Sequence, residues 1–78
     1  MTATYYIGAD VHSNTTELEI EKSKKIVARH SVPTTIPAIS DVLDSLQGKR
    51  LLAFEKGPMA GWLYHNLNEK VDELIVCE

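Results

Sequence analysis

Between Thr15 and Glu21 the chain alternates without a break. Thr16, Leu18 and Ile20 share one side, and Glu17, Glu19 and Glu21 share the other. A period of two is that of a β-strand with one buried and one wet face, so this segment requires a sheet covered on one side. The stretch before it, Thr4 to Val11, is rich in β-branched and aromatic residues and ends at the turn formers Ser13-Asn14. It reads as a strand with Tyr5, Ile7, Ala9 and Val11 on one face and Tyr6, Gly8 and Asp10 on the other. Gly8 leaves room for another group to approach the backbone. The polar run Glu21–Lys25 suits a hairpin turn, and Lys25 to Val32 reads as a third strand, which completes an antiparallel meander. The glutamate face and the lysine turn read as solvated surface. Lys22, Lys24 and Lys25, beside several glutamates, make a poor basic patch.

Pro33 ends the meander because proline cannot donate to a ladder. Thr34-Thr35 then offer an N-cap, and Ile36, Ile39, Leu43 and Leu46 follow helical spacing. Pro37 falls in the first turn, where its missing N–H costs nothing, and Gly48 is placed to act as the C′ residue. Lys49 to Glu55 reads as a strand. Its unbroken apolar run Leu51–Phe54 suits a parallel strand deep in a sheet. Lys56-Gly57-Pro58 breaks that run, and Pro58 can open a second helix with the stripe Met59, Trp62, Leu63, Leu67 and Val71. A last strand covers Leu74 to Cys77, with Cys77 read as a small core residue.

The order is therefore β-β-β-α-β-α-β, an α/β fold. Right-handed crossovers give a mixed five-stranded sheet in the order 3-2-1-4-5 with both helices on one face. The other face has no cover from these elements and is expected to carry an apolar patch, with Tyr6, Leu18 or its neighbours, that seeks a partner. Self-association into a homo-oligomer would cover it. The chain stops directly after a core strand, which predicts that more of the fold belongs downstream.

At 78 residues the chain makes a single domain. Its one cysteine excludes an internal disulfide and fits a reducing cytoplasm. No apolar run is long enough for a membrane helix, and no secretory signal is evident. The formal net charge of −3 predicts weak nucleic-acid binding by this segment alone.

Two of the apolar runs end in a carboxylate, Asp10 after the first and Glu55 after the fourth. In the expected order these strands are neighbours, roughly 4.8 Å apart, and open α/β sheets bind ligands outside the C-terminal ends of their strands. Two carboxylates brought close repel one another, and a hard divalent cation, Mg²⁺ or Mn²⁺, relieves that repulsion. Two such ions can activate water and stabilise the leaving oxygen in phosphodiester cleavage. Acidic residues at strand ends can also simply face solvent or cap the next helix. His12 can contact metal or phosphate, or serve as a loop hydrogen bonder. His30 and His65 belong to no motif, and Trp62, Leu63 and Tyr64 read as core and rim rather than a base-stacking platform.

The residues Tyr6-Ile7-Gly8-Ala9-Asp10-Val11-His12-Ser13 resemble the opening Y-I-G-I-D-V-H-K of the DEDD transposases of the Piv/MooV type, the one-ten class of insertion sequences. Val32-Pro33-Thr34-Thr35 resembles the phrase before their first helix. Phe54–Tyr64 resembles their L-E-A-T-G…W-L-Y segment, and order and spacing agree along nearly the whole chain. The resemblance implies the N-terminal part, residues 1–78, of an RNase H-like catalytic domain. In that family four acids hold divalent metal ions for DNA cleavage and strand exchange. Asp10 matches the first position and Glu55 the second; the other two, and the family's C-terminal domain, lie beyond this chain. DNA, and a structured guide RNA for the full-length protein, are the partners so implied. Such a fragment is expected to be inactive alone. Ala9, Ser13 and Lys56-Gly57-Pro58 depart from the family pattern, and Lys56 can pair with Glu55, contact phosphate or face solvent. An actin-like ATPase lobe also begins with an apolar strand and an aspartate, but His12-Ser13-Asn14 lacks the glycines that such a phosphate turn uses.

Overall fold

The computed structural model describes residues 3–78. It contains β1 (Thr4–Val11), β2 (Thr15–Lys22), β3 (Lys25–Pro33), α1 (Ile36–Asp44), β4 (Lys49–Glu55), α2 (Ala60–Leu67), a 3₁₀ turn (Asn68–Lys70) and β5 (Glu73–Cys77). The strands form one sheet in the order β3-β2-β1-β4-β5. Pairing is antiparallel through the meander and parallel from β1 to β4 and from β4 to β5. This is the expected α/β topology.

Register explains the core. Ile7 faces Ile20 on β2 and Leu52 on β4, and Ala9 faces Leu18 and Phe54. These positions form a single face of the sheet, onto which α1 brings Ile39 and Leu43 and α2 brings Leu63 and Leu67, so both helices cover the same side. The β2–β3 turn is closed by Ser23 and Lys24, both in the left-handed region at φ 54° and 64°. That is the two-residue hairpin geometry whose twist matches the strands it joins.

Thr35 is the N-cap of α1, its Oγ1 accepting from the Ala38 N–H at 3.3 Å. At the other end Arg50 Nη1 donates to the Leu43 carbonyl and lies 3.7 Å from Asp44, placing a cation against the negative end of the helix. Gly48 is not the C′ residue of α1. It lies beyond the Ser45 cap, at φ 152°, where a Cβ would collide with the Ala3 carbonyl. Its role is to let the start of β4 pass close to the chain before β1, where the Lys49 N–H donates to Ala3 at 2.8 Å.

Several expectations need correction. Pro58 does not open α2: it sits in a turn closed by the Ala60 N–H on the Gly57 carbonyl at 3.0 Å, and the helix begins at Ala60. Trp62 is 40% exposed rather than in the core, because it lies about 100° around the helix from Leu63. Cys77 is exposed as well: alternation gives Leu74 and Val76 to the helix side and leaves Cys77 on the uncovered face. Leu18 is buried beneath the helices, so it cannot belong to an apolar patch on that face. The uncovered side carries Glu17, Glu19 and Glu21 from β2, with Arg29 bonded to Glu19 and Ser31 to Glu17, but from β1 to β5 it also carries Tyr6, 53% exposed, opposite Leu51, and Ile75, 47% exposed, opposite Ala53, so an apolar strip around Tyr6 lies there without Leu18. Leu51 and Ala53 are only half-buried there. Among the described residues no helix is long and apolar enough to cross a membrane.

Candidate functional site

The pairing of β1 with β4 runs as far as Ala9 opposite Phe54, and the next residue on each strand is Asp10 and Glu55. Ala9 and Phe54 both pack toward the helices. Strand alternation therefore puts Asp10 and Glu55 together on the uncovered side, at the C-terminal ends of adjacent parallel strands. The same row continues outward on both flanks, with Asp10 paired to Glu17 on β2 and Glu55 paired to Cys77 on β5.

Asp10, Glu17, Glu55, Lys56 and Cys77 line one open groove of about 660 Å³, which runs over the strand ends toward Met59 and Leu63. Gly8 lies in its floor, and a Cβ placed there would meet nothing within 4 Å, so the backbone of β1 is accessible beside Asp10.

His12 Nδ1 lies 3.8 Å from Asp10 Oδ1, with both side chains exposed. Lys56, for which the sequence leaves open a bond to Glu55, a phosphate contact or solvent, places its Nζ 3.4 Å from Glu78. Its backbone N–H donates to the Cys77 carbonyl at 2.7 Å. Arg29, also on this face, is engaged by Glu19 at 3.1 Å. Among the described residues no lysine or arginine pairs with Asp10 or Glu55. The row is thus acidic, and no lysine or arginine balances it.

The turn after Asp10 is held firmly. The His12 N–H donates to the Thr15 carbonyl at 3.0 Å, and the Thr34 N–H reaches the Asn14 carbonyl at 3.1 Å. Thr34 Oγ1 donates to the His12 carbonyl at 2.6 Å, and Thr16 Oγ1 lies 2.8 Å from Thr34 Oγ1. Since the Thr34 proton is committed to His12, Thr16 is the donor of that second bond. Thr34 therefore ties the β1–β2 turn to the start of α1 instead of capping the helix.

The donor set fits a hard divalent ion in kind: Asp10 and Glu55 offer carboxylate oxygens, and Mg²⁺ is commonly held by one or two carboxylates with waters and substrate phosphates completing its shell. It is an incomplete set. Among the described residues no group of three or more His, Cys, Asp or Glu side chains comes together to hold a metal. Glu17 reads from sequence only as surface. Its place opposite Asp10 depends on cross-strand register, which alternation within β2 does not reveal.

No protein-family model, curated protein or solved structure matches this chain.

Proposed function

We propose that this domain supplies the first two acidic ligands of an RNase H-like site for DNA strand cleavage and transfer, as in the DEDD transposases it resembles. The supporting observation is the β1–β4 register, which makes Asp10 and Glu55 neighbours on one face, with no lysine or arginine paired to either among the described residues. In this reading Asp10 and Glu55 would hold Mg²⁺ or Mn²⁺, which would supply Lewis-acid chemistry for phosphodiester cleavage. Thr34 and Thr16 fix the turn that follows Asp10, and His12 stands within reach of phosphate. In this reading DNA is the substrate and a structured guide RNA a partner.

The 78-residue chain is expected to be inactive alone, because among its described residues no third acidic or histidine ligand joins Asp10 and Glu55. Incubation with supercoiled plasmid and Mg²⁺ or Mn²⁺ tests this: no nicking above background is expected. Nicking that disappears in Asp10→Ala would overturn the inactivity claim, although it would support the assignment of Asp10.

A further inference from the structure

The two edges of the sheet are built differently. Along the β3 edge the exposed Ile26 and Val27 are interrupted by charge and irregularity: Lys25, Arg29 and His30 are exposed beside them, Pro33 closes the strand, and the β2–β3 register shifts near Ile20/Glu21. Such features keep a strand from pairing with another chain. The β5 edge carries a single charge, Glu73. Glu73-Leu74-Ile75-Val76-Cys77 pairs on one side with β4, and among the described residues nothing pairs with its outer side. It contains no lysine, proline or bulge, and Ile75 at its centre is 47% exposed.

We propose that this edge binds a second copy of the same chain, β5 against β5, in antiparallel register about a two-fold axis through Ile75. The inference is independent of the metal reading. It places the self-association expected from the sequence on the edge of the sheet, where Ile75 borders Leu51, Ala53 and Tyr6 of the uncovered face. An axis perpendicular to the sheet keeps both pairs of helices on one side and makes the interface isologous. The strand is self-complementary in that register. Ile75 meets Ile75 of the second copy on the uncovered face, and each Leu74 meets Val76 on the helix side. Each Glu73 meets a Cys77, so no two charges within the strand oppose each other. The flanking carboxylates are engaged within their own chain, Asp72 by the Arg50 N–H at 2.8 Å and Glu78 by Lys56 at 3.4 Å. The result is a continuous ten-stranded sheet across the axis. Five-residue strands bury less surface than the ~1,600 Å² of a standard interface, so association is weak and is expressed at high concentration.

Sedimentation equilibrium of the reduced 78-residue chain, extended to millimolar concentration, should show a reversible monomer–dimer equilibrium. Ile75→Lys places like charges directly opposite at the axis and should weaken dimerisation by about tenfold or more. Ile75 is on the uncovered side, so the fold should survive, as circular dichroism can verify. A second variant keeps the test decisive if it does not. Glu73→Cys puts a thiol opposite the native Cys77 of the second copy, and mild oxidation should give a covalent dimer carrying 73–77 disulfides. Within one strand these positions are about 13 Å apart, beyond the reach of a disulfide, so such a bridge can only be intermolecular. A chain that stays monomeric at millimolar concentration would overturn the proposal. So would a dimer that resists Ile75→Lys but dissociates with Tyr6→Lys on the uncovered face, or oxidation of Glu73→Cys that yields no 73–77 bridge.

Discussion

Replacing Thr34 by valine tests how the turn beside Asp10 is held. The hydroxyl of Thr34 stands in the middle of a relay, accepting from Thr16 at 2.8 Å and donating to the His12 carbonyl at 2.6 Å. Thr16 is fully buried, so Thr34→Val strands its hydroxyl away from both protein and water. A buried polar group left without a partner costs about 1–3 kcal/mol. The His12 carbonyl is on the exposed side and can turn to solvent, so it adds little. The total stability of a domain this size is on the order of 4–12 kcal/mol, and each kcal/mol lowers the melting temperature by about 4–8 °C. Thr16→Val should be milder, since it removes the buried hydroxyl itself and leaves the Thr34–His12 bond intact. The double variant should then be less destabilised than the sum of the two singles, because valine at position 16 removes the group that Thr34→Val would orphan. Urea denaturation of all four proteins, with a common m-value, measures this cycle. A neutral Thr34→Val, or strictly additive effects, would refute the relay.

Other consequences follow from the same geometry. Leu43→Ala, at a fully buried position under the sheet, should cost about 2–5 kcal/mol and leave much of the chain unfolded in a thermal melt followed by circular dichroism. Arg50→Met removes the bond to the Leu43 carbonyl and the approach to Asp44; a loss of about 1–3 kcal/mol in chemical denaturation is expected. Asp10→Asn relieves like-charge opposition with Glu17 and Glu55, so without divalent ions it should raise stability by about 0.2–1 kcal/mol, an effect that shrinks as salt is added. An unchanged or lower melting temperature for that variant at low salt would contradict the electrostatic account.

Much of this architecture is legible in the sequence because the strands carry simple signals. The Glu17–Glu21 alternation and the unbroken Leu51–Phe54 run each fix a strand and its buried side, and the topology follows from crossover handedness. Where sequence and structure part, the missing information belongs to no single segment. Leu74-Ile75-Val76-Cys77 is apolar throughout, yet only alternate residues find a helix above them, so Cys77 is left exposed. Trp62 counts toward a helical stripe, but α2 is a short helix whose buried line runs through Leu63 and Leu67. Gly48 looks like a helix stop until the approach of Ala3 is known. The pairing of Glu17 with Asp10 depends on the register of two strands, as does the adjacency of Asp10 to Glu55. That adjacency is legible because both residues lie at the C-terminal ends of their strands.

If Asp10 and Glu55 share a cation, Mn²⁺ titration followed by amide NMR will register the ion at both residues. Paramagnetic broadening should appear first at residues 10–12 and 55–57, on both strand ends together, and each of Asp10→Asn and Glu55→Gln should abolish it at both ends. Broadening confined to one strand end, spread along the β2 glutamates, or unchanged in either variant would contradict a shared site.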